Sequence, residues 1–194
     1  MARASSNERK TKETKIILKL DLDGQGRASL NSGIPFLDHM LELLAKQSSF
    51  NIDLKASGDL EVDLHHTVED IGLVFGDSLS KALGKKENIK RYASAMVPMD
   101  EALVMLAVDI SGRPYLAYDI DLVREEIGGF NTDLLKDFLQ AFVSKAETTL
   151  HLRLLAGRNS HHIIEAVFKG LGLVLKEATS VGEGKGIPST KGVI

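Results

Sequence analysis

Three observations predict an α+β fold built from two similar αβ halves. The pentad His65-His66-Thr67-Val68-Glu69 recurs as His161-His162-Ile163-Ile164-Glu165. The gapless shift of 96 residues that superposes these motifs also matches Gly33 with Gly129, Leu43 with Leu139, Ala45 with Ala141, Leu54 with Leu150, Gly76 with Gly172, Leu79 with Leu175 and Ala82 with Ala178. Each half runs through strand-like and helix-like stretches in the same coarse order, which suits helices gathered on one side of a mostly antiparallel sheet better than a doubly wound parallel one. The repeat sets a boundary near residue 90, with halves 1–90 and 91–194 packed as one globular subunit.

Apolar periodicity places the elements. In the first half Ile16, Leu18, Leu20 and Leu22 alternate with polar residues as a half-buried strand. Leu37, Met40, Leu41 and Leu44 fall at helical spacing behind Pro35, a residue suited to the first helical turn. Phe50, Ile52 and Leu54 alternate again, and a turn at Ser57-Gly58-Asp59 leads to a predicted strand through Leu60, Val62 and Leu64. Val68, Ile71, Phe75 and Leu79 mark a long helix ending near Gly84. The polar segment Met1 to Lys15 reads as a solvated lead-in.

The second half opens with two alternating runs, Val104 to Ile110 and Leu116 to Ile120, which the turn Ser111-Gly112-Arg113-Pro114 is predicted to join as a hairpin. A helix through Leu134, Leu135, Phe138, Leu139 and Phe142 follows, then a strand through Leu150, Leu152 and Leu154. Ile164, Val167, Phe168, Leu171, Val174 and Leu175 form the closing helix.

Composition narrows the chemistry. The 194 residues are 43% hydrophobic and 26% charged, ordinary for a globular protein, and the net charge of -3 advertises neither nucleic acid nor an anionic membrane as partner. There are no cysteines, which excludes disulfides, thiolate metal sites and cysteine nucleophiles. Any bound metal must be held by His, Asp and Glu, a donor set for borderline to hard divalent ions. No apolar run reaches the ~20 residues of a membrane-spanning helix, and no apolar signal segment opens the chain, so a cytoplasmic enzyme is expected.

The six histidines are His39, His65, His66, His151, His161 and His162. Within each motif, Glu69 or Glu165 lies three and four residues beyond the two imidazoles and can meet either on a helix surface. Adjacent histidines diverge by about 100° around a helix, so each motif is expected to serve two different ions. Six imidazoles and two carboxylates suffice for two ions with three His and one Glu each, leaving positions open for substrate. His151 points away from the apolar face of its strand, and His39 sits at the margin of its helix stripe. The gapless shift gives them no histidine partners, matching His39 with Leu135 and Lys55 with His151. By spacing alone their role stays open. The HExxH spacing of zinc peptidases is absent.

An anion would need a local basic cluster. Pro188-Ser189-Thr190-Lys191-Gly192 offers hydroxyls, an ammonium and backbone N–H groups, although without a preceding GxxxxG it is no P-loop. Arg91, Arg113 and Lys169 are further candidates, Lys169 one turn beyond Glu165.

These residues resemble the imidazoleglycerol-phosphate dehydratase family of histidine biosynthesis over nearly the whole chain. The words that carry the resemblance are Gly33-Ile34-Pro35-Phe36-Leu37-Asp38-His39-Met40-Leu41, the two His-His-x-x-Glu motifs, Pro98-Met99-Asp100-Glu101-Ala102, Ser111-Gly112-Arg113-Pro114, Thr149-Leu150-His151 and Pro188-Ser189-Thr190-Lys191-Gly192. The resemblance implies halves like the second domain of ribosomal protein S5. It implies two manganese ions per active site, no organic cofactor, and His39 and His151 as ligands beside the motif residues. It further implies that Glu13, Arg91, Arg113, Lys169, Ser189 and Lys191 contact substrate, the basic groups and Ser189 serving the phosphate, with Glu13 a candidate for moving the C2 proton. The partners implied are a small phosphorylated imidazole and other copies of the chain in a closed shell of about 24 subunits, with sites where subunits meet. Two positions depart from the family pattern: Gln47 stands where a histidine is frequent, and Leu64 stands between Asp63 and the first His pair. A metal-dependent phosphoester hydrolase is the rival chemistry. A nucleic-acid-binding module, suggested by the S5-like fold alone, lacks the basic, aromatic-studded stripe it would need.

Overall fold

The computed structural model describes residues 3–182, 184 and 186–194. The first half contains β1 (Ala4–Lys10), β2 (Thr14–Asp21), β3 (Ala28–Asn31), α1 (Pro35–Ser48), β4 (Asn51–Gly58) and α2 (His65–Leu83). The second contains β5 (Tyr92–Met99), β6 (Ala102–Asp109), β7 (Tyr115–Asp119), the short β8 (Glu126–Ile127) and β9 (Phe130–Asn131), α3 (Leu134–Ala146), β10 (Thr149–Ala156) and α4 (Ser160–Thr179). Two four-stranded sheets have matching orders, β1-β2-β4-β3 and β5-β6-β10-β7. Only β3 on β4 and β7 on β10 run parallel in them. The α+β duplication expected from the repeat is the architecture found.

The helices lie between the sheets. α2 covers β1 and β2, α4 covers β5 and β6, and across the middle α2 packs on α3 and α1 on α4. Each half therefore closes its core with the helices of the other. The glycine pair matched by the repeat explains how closely these helices approach. A Cβ on Gly76 would sit 2.3 Å from the Phe142 carbonyl oxygen, and one on Gly172 would sit 2.7 Å from that of Leu44. Phe75 meets Phe142, and Phe138 meets Phe168, with ring centroids 5.5 and 5.4 Å apart.

Three local expectations are corrected. Ala4–Lys10 is not a lead-in but strand β1, paired antiparallel with β2. It lacks apolar alternation because its inward groups are polar and satisfied by α2: Asn7 donates to Ser78 Oγ at 2.8 Å, and Arg9 to Asp70 at 2.7 Å. Leu60, Val62 and Leu64 form no strand. β4 ends at Gly58, a turn follows, and Val62 is exposed while Leu60 and Leu64 lean on the core. The hairpin expected across Ser111–Pro114 is also absent. β10 lies between β6 and β7, antiparallel to the first and parallel to the second, because the chain leaves β7 for α3 before returning to the sheet. β3, β5 and the β8–β9 ribbon carry too little apolar alternation to have been expected.

The duplication also has a finer register than one gapless shift. The α2 and α4 motifs keep the offset of 96, but β2 and β6 are offset by 88, and α1–β4 and α3–β10 by 98. At that last offset the buried residues of α1, Phe36, Leu37, Met40, Leu41, Leu44, Ala45 and Ser48, all fall on buried residues of α3. The left-handed caps Ser49 and Glu147 coincide as well. The β8–β9 ribbon lengthens the second half before α3, which shifts the register. The structural counterpart of His39 is thus Asp137, not Leu135, and that of His151 is Asp53, not Lys55.

Candidate active site

Helix α4 carries the second motif at its N-terminus. Asn159 caps the helix, its side-chain oxygen accepting the N–H groups of His161 and His162 at 3.0 and 3.4 Å. One turn on, Glu165 is turned inward, its side chain 10% exposed. Its Oε1 lies 3.1 Å from Nε2 of His161 and 3.1 Å from Nε2 of His39, which reaches across from α1. Lys169, the next residue on this face, donates to Oε2 at 2.7 Å. Burial alone would raise the Glu165 pKa. The hydrogen bonds from Lys169, His39 and His161, with the Lys169 charge, outweigh it and hold the carboxyl at about 2. One ligand atom from each of His39, His161 and Glu165 lies within 4.8 Å of the others. This nitrogen and oxygen set, closing on an ionised carboxylate, fits a divalent cation.

His162 faces a different partner. Its Nδ1 lies 2.7 Å from Glu101 Oε2, and Glu101 Oε1 accepts the Asn159 N–H at 2.9 Å. The His162 hydrogen bond, followed by backbone N–H groups, lowers the Glu101 carboxyl to about 2, and the same bond raises the pKa of His162.

The first motif, on α2, stands more open. The Asp63 side chain accepts the His65 N–H at 2.8 Å, in the position Asn159 holds in the other half. His65 Nδ1 lies 3.2 Å from Asp137 on α3, and its Nε2 is 3.9 Å from Glu69, whose side chain is 48% exposed. His66 Nδ1 is 3.0 Å from Asp59 and 3.8 Å from Glu13. The Asp59 hydrogen bond raises the His66 pKa.

His151 lies on the exposed face of β10, opposite the buried Leu150 and Leu152, with its ring 6.0 Å from that of Tyr115. Of the eight candidate ligands, His39, His161 and Glu165 thus come together within one chain. His65, His66, Glu69, His151 and His162 do not join them.

Four of the six candidate substrate contacts do converge. Arg91, Arg113, Ser189 and Lys191 line one cavity of about 670 Å³ together with Tyr92, Ser111 and Thr190. Arg91 is held in the left-handed region (φ 74°). Its guanidinium makes a fork with Asp109 at 2.8 and 3.2 Å and donates to the Pro188 carbonyl at 2.8 Å. That pairing raises its pKa and ties the Ser189–Lys191 loop to the sheet. Lys169 lies apart, at Glu165, and Glu13 lies at His66. Asp59 and Asp137 carry no signal in the sequence as site residues, whereas Glu101 carries one, since it precedes β6 as Glu13 precedes β2.

The matching family model is that described as imidazoleglycerol-phosphate dehydratase, over residues 32–175. The chain belongs to the imidazoleglycerol-phosphate dehydratase family. It is 56% identical to the imidazoleglycerol-phosphate dehydratase of Oceanobacillus iheyensis, covering 98% of each chain. It is 51% identical to that of Desulforudis audaxviator, covering 100% of this chain and 99% of the relative. Among solved structures, imidazoleglycerol-phosphate dehydratase from Staphylococcus aureus superposes with a TM-score of 0.84 at 36% identity, covering 92% of this chain and 99% of that one. The Pyrococcus furiosus enzyme superposes with a TM-score of 0.84 at 38% identity, covering 97% and 100%. The chain is accordingly a hydro-lyase of histidine biosynthesis that acts on imidazole glycerol phosphate. Among the described residues, no helix is long and apolar enough to cross a membrane.

Proposed function

We propose that this cytoplasmic chain dehydrates D-erythro-imidazole glycerol phosphate to imidazole acetol phosphate and water with the help of two manganese ions per site. The observation that carries the metal reading is the convergence of His39, His161 and Glu165 on one point, with an ionised carboxylate among them. His65, His66, Glu69, His151 and His162 complete the ligand set, and because one chain leaves them apart, the site takes them from neighbouring copies. The exposed aromatic and apolar residues beside His151, Tyr92, Met96 and Tyr115, support such self-association into a large closed homo-oligomer.

When bound, the ions supply positive charge that favours the deprotonated form of a ligand they hold. The chain's own residues do the rest. Arg113, Ser189 and Lys191 hold the phosphate, while Arg91, engaged by Asp109 and Pro188, fixes the loop that carries two of them. Lys169 binds beside the ligand cluster and keeps Glu165 ionised. Glu13, exposed next to His66, takes the C2 proton as the C3 hydroxyl departs. The proton and hydroxyl leave as water, and the resulting enol becomes the ketone.

The test is metal analysis of the purified chain with its mass in solution, followed by assay for the ketone. The expected results are bound manganese, a large assembly and ketone formation that a chelator abolishes. Release of inorganic phosphate without ketone would support the hydrolase instead. Full turnover by metal-free Glu165→Gln would overturn the metal role.

A further inference from the structure

The second histidine of each motif meets a carboxylate at Nδ1, but the two carboxylates come from different places. Glu13 precedes β2 and Glu101 precedes β6, so the duplication places both beside a motif's second histidine. In the second half Glu101 makes the contact, 2.7 Å from His162 Nδ1, and is itself anchored by the N–H groups of Asn159 at 2.9 Å and Arg158 at 3.4 Å. In the first half Glu13 stands back at 3.8 Å, beyond hydrogen-bond reach, and Asp59 makes the contact at 3.0 Å. The difference has a local cause. Asp59 is the residue that follows β4, whereas the residue that follows β10 is Gly157, which has no side chain to offer.

An ionised carboxylate can only accept a hydrogen bond, so the imidazole nitrogen facing it must carry the proton. In a neutral imidazole the other nitrogen then keeps its lone pair. We propose that Glu101 and Asp59 are positioning residues that hold His162 and His66 as Nδ1–H tautomers with Nε2 available as a ligand atom. By taking this role in the first half, Asp59 releases Glu13 for proton transfer. The proposal rests on reading His66 and His162 as metal ligands.

The first measurement needs no variant. In the metal-free wild-type chain, at a pH raised until neither imidazole titrates further, long-range 1H–15N correlations should assign His66 and His162 as Nδ1–H tautomers. An Nε2–H pattern at either overturns the proposal for that residue, whether or not the variants fold. The second measurement is Mn2+ affinity by calorimetry. Glu101→Ala and Asp59→Ala should each weaken binding by about 10- to 100-fold, while Glu13→Ala should keep wild-type affinity and lose kcat. Unchanged affinity in Glu101→Ala overturns the positioning role but leaves the metal reading standing. A loss of affinity in Glu13→Ala equal to that of Asp59→Ala overturns the release of Glu13. A wild-type chain that takes up no divalent ion overturns the metal reading, and this proposal with it, before any variant is made.

Discussion

The motifs on α2 and α4 share a sequence pattern and a helix face, yet only the second is closed. Glu165 is 10% exposed and grips His161, His39 and Lys169, whereas Glu69 is 48% exposed and stands 3.9 Å from His65. The helix that crosses each motif explains the difference. α1 brings His39 to α4, and α3 brings Asp137 to the same place on α2. Duplication preserved the backbone and the buried positions, while one residue on the crossing helix decided whether a histidine was presented to the carboxylate or a carboxylate to the histidine. The outer sheet faces differ in part. The first carries Lys15, Lys19, Asp53 and Lys55, with a Lys19–Asp53 ion pair at 3.5 Å, and the second carries an Arg153–Asp119 ion pair at 3.0 Å beside Tyr92, Met96, Tyr115 and His151. An exposed ion pair is common to both faces. Exposed aromatic and apolar side chains around a candidate ligand belong to the second.

The comparison can be broken most sharply at the two glutamates. Glu165→Ala leaves the Lys169 ammonium half-enclosed without its partner, so the metal-free chain should lose about 3 kcal/mol by urea denaturation. Glu69→Ala should cost less than about 1 kcal/mol, as exposed pairs do. Equal losses would mean that the closure of the second motif has no energetic weight.

Helix contacts come next. Gly76→Ala and Gly172→Ala each force a Cβ against a carbonyl oxygen and should cost about 1–3 kcal/mol. The loss should be larger at Gly76, where the approach is 2.3 Å rather than 2.7 Å. Denaturant midpoints would check the order, and the reverse order would mean that α1 and α4 are the stiffer pair.

Acid should separate the halves by a similar or smaller amount. The Glu165 carboxyl is lowered from 4.5 to about 2 in the fold, so its stabilisation is complete above the unfolded value and is lost as pH falls through the folded one. The stability difference between wild type and Glu165→Gln should therefore shrink between about pH 5 and pH 2. A difference that stays constant over this window would show that the carboxylate is not held by charge.

The smallest effect is expected at His66 and His162, both raised above the ordinary imidazole value by a carboxylate at Nδ1. Their stabilisation is present below the unfolded value of 6.5 and disappears as pH rises through the folded one. Asp59→Asn should move the His66 titration back toward 6.5, as followed by NMR, and leave that of His162 in place.

Much of this was legible in the chain. Strong 3.6-residue periodicity marked all four helices, because each buries one continuous apolar stripe. β1 carries no apolar alternation to read, because its one buried residue, Asn7, is polar and Arg9 beside it reaches a polar partner on α2. The strand expected through Leu60 and Leu64 failed for the opposite reason: two partly buried leucines in a turn mimic a short period of two. Pairing was the weakest inference. Nothing around Ser111–Pro114 reveals that β10, some thirty-five residues later, will enter between the two strands it joins.

The repeated His-His-x-x-Glu, the supply of six histidines, the absence of cysteine and the basic C-terminal loop were determined by the sequence, because residue type and helical spacing are local properties. Which of those side chains meet was decided by tertiary structure. His39 reaches Glu165 only because α1 lies on α4 rather than on its own half's motif helix. Arg91 joins Lys191 only because Asp109 and Pro188 bring strand and tail together. His151 stays apart because it occupies the outward face of a strand whose inward face builds the core. Such contacts follow from the packing of distant segments, and that information is shared by the whole chain rather than carried by any one stretch of it.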